Sequence, residues 1–226
     1  MDYLSLIDKY YAGQEELKAL LLHHSRQVTE KALEVCAAHP EWQIDRQFVE
    51  EAAMLHDIGI VLCDAPGILC KGTEPYIRHG YIGAEILRKE GLHRHARVAE
   101  RHTGSGLTKE QIIAEQLPLP EQDFLPETIE EKVICYADKF FSKSHPERIA
   151  SIEHIRATMQ KFGYGSPERW QQLEAEINSK ERNRISHLFY AISTYIIPLI
   201  SFKFSIFIPI CLYILFFSSI LCSVYL

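Results

Sequence analysis

Met54-Leu55-His56-Asp57-Ile58-Gly59 is the stretch that decides how this chain reads. An imidazole is followed directly by a carboxylate, so two lone-pair donors suited to a divalent cation stand side by side. The apolar run Phe48, Val49, Ala52 and Leu55 predicts a helix over residues 46–58, and Gly59 can release the chain from helical geometry. The His-Asp pair is thus expected near the C-terminal end of that helix.

Working outward, further candidate metal ligands recur at His24, His79, His102 and Asp138. Their wide separation suits a site assembled between bundled helices and argues against a zinc finger. Each falls in or beside a segment with helical signals. Leu17, Leu21, Leu22, Val28, Ala32 and Val35 form an imperfect helical stripe over residues 15–39 that includes His24. Residues 77–90 and 92–103 read as helices ended by Gly91 and Gly104. Thr108 and Gln111 can form a capping box for a short helix. Residues 127–141 predict a helix in which Ile134 and Asp138 share a face. A helix over 147–161 and one opened by Ser166 and Pro167 complete the body. Strand alternation and internal repeats do not compete with this pattern, and the expected fold class is all-α.

The chain has 226 residues, enough for one substantial domain. Residues 1–184 form the expected helical body and carry a formal charge of −7, against −6 for the whole chain, because Lys203 is the sole Lys, Arg, Asp or Glu after Arg184. That balance gives no general attraction to nucleic acid. Six scattered cysteines without a CxxC pair read most simply as free thiols in a reducing compartment. A basic segment followed by an apolar signal core is not found at the N-terminus, which leads to the expectation of a cytoplasmic body.

Neutral imidazoles and ionised carboxylates gathered on one site can hold divalent ions, and a carboxylate can bridge two of them. Such a pair would activate water and neutralise phosphate oxygens. Arg78, Arg101 and Lys139 each adjoin a proposed ligand and could donate charge-assisted hydrogen bonds to phosphate.

The ordered set His24-Ser25-Arg26-Gln27-Val28, His56-Asp57-Ile58-Gly59, Arg78-His79-Gly80, Arg101-His102-Thr103-Gly104 and Ala137-Asp138-Lys139 resembles the HD superfamily of metal-dependent phosphohydrolases, in particular its HDIG-containing members. The resemblance spans about residues 21–142 and implies an HD-domain helical bundle. It implies His24, His56, Asp57 and Asp138 as metal ligands, with Asp57 bridging when two ions bind and also a candidate for proton transfer. His79 and His102 match the added histidines of binuclear members. His23 is the neighbouring register alternative to His24. The mixed N/O donor set leads us to expect two divalent ions, with iron or manganese favoured. The segments around His102 and Asp138 are similar to the bacterial YqeK-like dinucleoside polyphosphate hydrolases, although Ile58-Gly59 departs from that branch. The function implied is hydrolysis of a phosphoester or phosphoanhydride bond in a nucleotide. The alternative is an inactive HD scaffold acting as a nucleotide sensor or interaction protein. Oligomeric state is not indicated.

Residues 185–226 break from the body in composition, and residues 204–226 run without a charged side chain. That length can cross a bilayer as a helix, although Pro209 and several serines weaken the fit. Lys180, Arg182 and Arg184 would keep the body cytoplasmic beside the first membrane entry. The tail reads either as a membrane-associated segment or as a non-native hydrophobic extension.

Overall fold

A computed structural model describes residues 1–179; the hydrophobic tail over 185–226 lies outside the described residues. Among the described residues, no helix is long and apolar enough to cross a membrane. Nine α-helices dominate them: α1 (Tyr3–Tyr10), α2 (Glu15–Ala38), α3 (Arg46–Leu55), α4 (His79–Lys89), α5 (His93–Arg101), α6 (Lys109–Ala114), α7 (Ile129–Asp138), α8 (Ile152–Phe162) and α9 (Ser166–Ile177). The fold is a predominantly helical HD-domain-like bundle, with α2 packed on α3 and α7, and α4 packed on α5.

Two small sheets qualify the all-helical expectation. β1 (Cys63–Ala65) pairs antiparallel with β2 (Cys70–Lys71) and parallel with β3 (Glu74–Pro75). β4 (Phe141–Ser142) and β5 (His145–Ile149) form an antiparallel hairpin. Both lie in the intervals between helices, where strands of two to five residues are too short for period-two alternation to declare itself. The second sheet also takes the start of the helix expected over 147–161, which begins instead at Ile152 with Ser151 as its N-cap. α1 was not expected from sequence; Asp2 caps it by accepting from Ser5 N.

The helix ends follow local chemistry. Asp45 caps α3, and Thr128 caps α7 in a full capping box with Glu131. Thr108 caps α6, but Gln111 turns its amide to Glu115 instead of reaching back, so that box is half made. α9 is entered from Gly165, with Ser166 its first helical residue.

Two large apolar clusters, beside a small one of Leu107, Ile112 and Phe124, divide the interior. One joins α2, α3, α7, α8 and α9 through Val28, Ala52, Val133, Met159 and Trp170. The other joins α1, α2, the end of α3, α4 and α5 through Ile7, Leu21, Leu55, Ile82 and Ala99. Along α2, Leu21 belongs to the second cluster and Val28 to the first, and His24 sits between them. At the end of α3, Ala53 belongs to the first and Leu55 and Ile58 to the second, so His56 and Asp57 follow the point where the chain passes from one core to the other. The polar centre therefore occupies the seam where the two cores meet.

Candidate metal centre

Five chain segments deliver candidate ligands to that seam. His24 comes from the middle of α2, and His56 and Asp57 directly follow α3. His79 opens α4, His102 caps the C-terminus of α5, and Asp138 ends α7. All six are buried, whereas neighbouring His23 is exposed. Gly59 permits the approach of α4, because a Cβ there would land on the His79 carbonyl oxygen and on Gly83 N.

The donor atoms fall into two groups, His24, His56, Asp57 and Asp138 in one and Asp57, His79 and His102 in the other. Asp57 joins them through different oxygens. Oδ2 lies 3.2 Å from His24 Nε2 and 3.0 Å from His56 Nε2. Oδ1 lies 3.5 Å from His79 Nε2 and 3.4 Å from His102 Nε2. Asp138 Oδ1 completes the first group, 3.0 Å from His24 Nε2 and 3.4 Å from His56 Nε2. Despite these approaches, Asp57 Oδ1 and His56 Nε2 have no aligned hydrogen-bond partner among the described residues, whereas Asp57 Oδ2 is met by Lys143 Nζ at 2.5 Å. Buried polar atoms that converge without bonding one another are rare unless something else satisfies them.

The backbone explains what that is. Nδ1 of His56, His79 and His102 donates to the carbonyls of Ala53, Tyr76 and Ala99 at 2.6, 2.7 and 2.7 Å. A carbonyl can only accept, so each Nδ1 carries the hydrogen and a neutral ring presents an Nε2 lone pair inward. His79 and His102 are held neutral: burial pushes His79 down to about 3 and also lowers His102, outweighing the attraction of Asp57. Their Nε2 atoms nonetheless face each other 3.1 Å apart. Two lone pairs at that distance repel unless a cation lies between or beside them. The donor set therefore fits a binuclear divalent-metal site, with Asp57 common to both positions.

The first group is differently charged. Burial opposes ionisation of His56, but Asp57 and Asp138 overcome it and raise the imidazole to about 9. Burial likewise opposes ionisation of Asp57 and Asp138. It is outweighed chiefly by His56 and Lys143 at Asp57 and by Lys139 and His24 at Asp138, and both carboxyls are held well below the usual range.

The three cations expected near substrate have protein partners. Arg78 pairs with Glu74 at 3.1 Å and keeps 31% of its side chain exposed. Arg101 donates to the Leu125 carbonyl at 2.6 Å and pairs with Glu127 at 2.8 Å. Lys139 is turned inward, 2.6 Å from Asp138 Oδ2 and 2.9 Å from the His102 carbonyl. The cation that enters the centre is Lys143, from the turn between β4 and β5, with Nζ 2.5 Å from Asp57 Oδ2. Sequence reasoning passed over it; its one signal is a cation between serines five residues beyond Asp138. Cys36, Cys63, Cys70 and Cys135 are free and buried, and none belongs to either ligand group.

A helical bundle with a buried His/Asp cluster split between two ligand groups defines the class, that of HD-type metal-dependent phosphohydrolase domains. Residues 21–142 match the HD domain family, and the chain belongs to that family. An uncharacterized protein of Methanocaldococcus jannaschii is 34% identical over 164 residues, covering 70% of this chain and 88% of that protein. Two tRNA (cytidine(56)-2'-O)-methyltransferases are also similar. The one from Picrophilus torridus is 35% identical over 142 residues, or 62% of this chain and 36% of the enzyme. The one from Thermoplasma volcanium is 32% identical over 140 residues, or 62% of this chain and 35% of the enzyme. The chain thus spans about a third of the length of either methyltransferase. No solved structure matches the chain.

Proposed function

We propose that this protein is a phosphohydrolase that uses two divalent ions to cleave a phosphoester or phosphoanhydride bond in a nucleotide. The observation that carries the reading is the division of Asp57 between two ligand groups, one of which aims two neutral histidine lone pairs at each other across 3.1 Å. His24, His56, Asp57 and Asp138 would hold one ion, and Asp57, His79 and His102 the other. Bound there, the ions would supply Lewis acidity toward phosphate oxygens and activate water for attack at phosphorus.

The chain's own contribution is positioning and exclusion of bulk water. Three backbone carbonyls fix the tautomers of His56, His79 and His102, so these ligands need no reorientation when cations arrive. Lys139 steadies Asp138 in the same way. Arg78, the most exposed of the three cations named from sequence, is the one we assign to substrate phosphate; Arg101 and Lys139 would act through the residues they hold. Asp57 is taken as a shared ligand first and a proton acceptor second. Iron and manganese suit the mixed nitrogen and oxygen donors.

A dinucleoside polyphosphate is the finer substrate proposal, supported by the sequences around His102 and Asp138. A second reading follows from the two relatives whose names place them on tRNA: the phosphate could be carried by RNA. The body's negative net charge weighs against it. Membrane attachment through residues 185–226 is a separate proposal, resting on their composition.

The deciding experiment is a turnover screen of the manganese- and iron-reconstituted full chain with mononucleotides, nucleoside triphosphates, dinucleoside polyphosphates, cyclic nucleotides and phosphorylated RNA ends. An Asp57→Ala variant serves as control. Phosphate or nucleotide release abolished in the control supports the reading. Tight nucleotide binding without turnover on any substrate would replace it with the sensor alternative.

A further inference from the structure

Lys143 has an unusual setting. From Ser142 to Ile149 every other residue is exposed, β5 along its whole length, while the Lys143 side chain retains 10% exposure. The hairpin is tied down by Ala150 N donating to the Phe140 carbonyl at 2.8 Å and by Gln27 Nε2, from α2, donating to the Pro146 carbonyl at 3.1 Å. Alternation along the hairpin turns Phe141 and Lys143 inward and leaves Ser142 and Ser144 outward. The fold thus inserts one ammonium, on a four-carbon stem, into the centre from a surface turn.

Its position is specific. Nζ meets Asp57 Oδ2, the oxygen that faces His24 and His56, at 2.5 Å. A divalent ion bound to a carboxylate oxygen approaches to about 2.0–2.2 Å. An ammonium and such an ion on the same oxygen would therefore stand less than about 5 Å apart in a water-poor seam, where like charges repel strongly. Lysine can yield, because its stem is flexible and its head is a point charge without a fixed fork.

We propose that Lys143 is a tethered cation of this site: it neutralises Asp57 Oδ2 before metal binds, is displaced from that oxygen by the incoming ion, and then holds a phosphoryl oxygen of the substrate. The last step rests on the phosphohydrolase reading; the displacement does not. Lys143 accordingly opposes the first metal and favours the phosphate.

The test compares the wild-type full chain with Lys143→Met and Lys143→Arg. Manganese alone is titrated first, then inorganic phosphate into the manganese-loaded proteins. Lys143→Met should bind its first manganese about tenfold more tightly, and when loaded should bind phosphate about tenfold more weakly. Lys143→Arg should retain phosphate affinity within about threefold, since the charge is kept. A folded Lys143→Met protein with unchanged or weaker manganese affinity overturns the proposal. If wild type binds manganese and not phosphate, the phosphate half fails together with the phosphohydrolase reading, while a tightened manganese isotherm in Lys143→Met still upholds displacement. A second measurement leaves the chain intact, in case the variant does not fold. Reductive methylation of wild type, read by mass spectrometry, should label Lys143 slowly without metal and faster with manganese. Equal protection in both states overturns displacement.

Discussion

Lys139 Nζ sits 2.6 Å from Asp138 Oδ2, an ion pair between sequence neighbours that also reaches the His102 carbonyl at 2.9 Å. Lys139 is the C-cap of α7 and keeps helical dihedrals, φ −67° and ψ −17°, and its side chain folds back over the carboxylate. It links a ligand of one metal group to the residue that supplies a ligand of the other. Lys139→Met should weaken divalent-metal affinity by about 10- to 100-fold, the range usual for loss of a residue that orients a ligand. Calorimetric titration with manganese checks this, and an unchanged isotherm would show that Asp138 needs no such support.

Asp57 divides its oxygens between the two groups, which predicts distinct metal stoichiometries for single substitutions. Asp57→Ala should lose both ions. His79→Gln or His102→Gln should retain one, held by His24, His56 and Asp138 with Asp57. His24→Gln should retain the other more readily than its own. Elemental analysis of the purified, reconstituted variants reads this directly. If His79→Gln and His24→Gln both lost all metal, two separable positions would be ruled out.

The six candidate ligands could be picked out of the sequence because each is a residue type with few reasons to be buried, repeated among strong helical signals. Their pairing through the two oxygens of Asp57 was expected only as a bridge implied by resemblance; which oxygen serves which histidines depends on helix packing that no local pattern encodes. The small sheets were missed for a local reason, since two-residue strands such as Cys70–Lys71 are defined by their partners and not by their own sequence. Lys143 was missed because it reaches the site from the turn of a hairpin whose residues from Ser144 to Ile149 are all exposed. Arg101, adjacent to His102 in sequence, turns to Leu125 and Glu127, a placement that adjacency alone does not encode.

Gly59 and Gly67 lie eight positions apart and should respond oppositely to alanine. A Cβ on Gly59 would meet backbone atoms of His79 and Gly83, which cannot rotate away, whereas Gly67 has nothing within 4 Å of that position and does not have a positive φ. Gly59→Ala should cost at least about 3 kcal/mol or prevent folding. Gly67→Ala should fall between neutral and about 1 kcal/mol more stable, because alanine narrows the unfolded ensemble. Urea denaturation of the two variants separates them; similar midpoints would refute the close approach at Gly59.

His95 provides a pH test away from the metal centre. It is buried at the start of α5, where burial lowers its pKa more than Glu51 of α3, 3.4 Å away, raises it; Arg94 and the N-terminal amine, which pairs with Glu51, lower it further. A group with a depressed folded pKa binds protons better when unfolded. Its contribution is therefore present above the unfolded value of about 6.5 and is lost as pH falls through the folded one. The stability difference between wild type and His95→Gln, measured by denaturation at pH 7.5 and pH 5, should shift against wild type at the lower pH. A constant difference would mean that His95 titrates alike in both states.

Glu131 tests how the end of α7 remote from Asp138 supports the site. Its carboxylate is buried, with 3% side-chain exposure, and serves two purposes at once. One oxygen accepts from the Glu127 and Thr128 backbone amides at 2.7 and 3.3 Å, closing the capping box, while the other accepts from Arg97 Nε at 2.8 Å. Arg97 is 37% exposed and also reaches Glu127 at 2.7 Å, so its charge is not stranded when Glu131 is removed. The backbone amides of Glu127 and Thr128 lose that side-chain acceptor. Glu131→Ala should therefore destabilise by about 2–3 kcal/mol, above a simple cap loss and below a fully buried broken ion pair. Glu131→Gln keeps an acceptor for the amides and should cost about 1 kcal/mol. Since the damage lies at the N-terminal end of α7, about 10 Å along the axis from Asp138 at the usual helical rise, manganese affinity of the folded variants should stay near wild type. Urea midpoints and a manganese titration together check both halves. A Glu131→Ala protein as stable as wild type would remove the capping box from the account of why α7 presents Asp138 where it does.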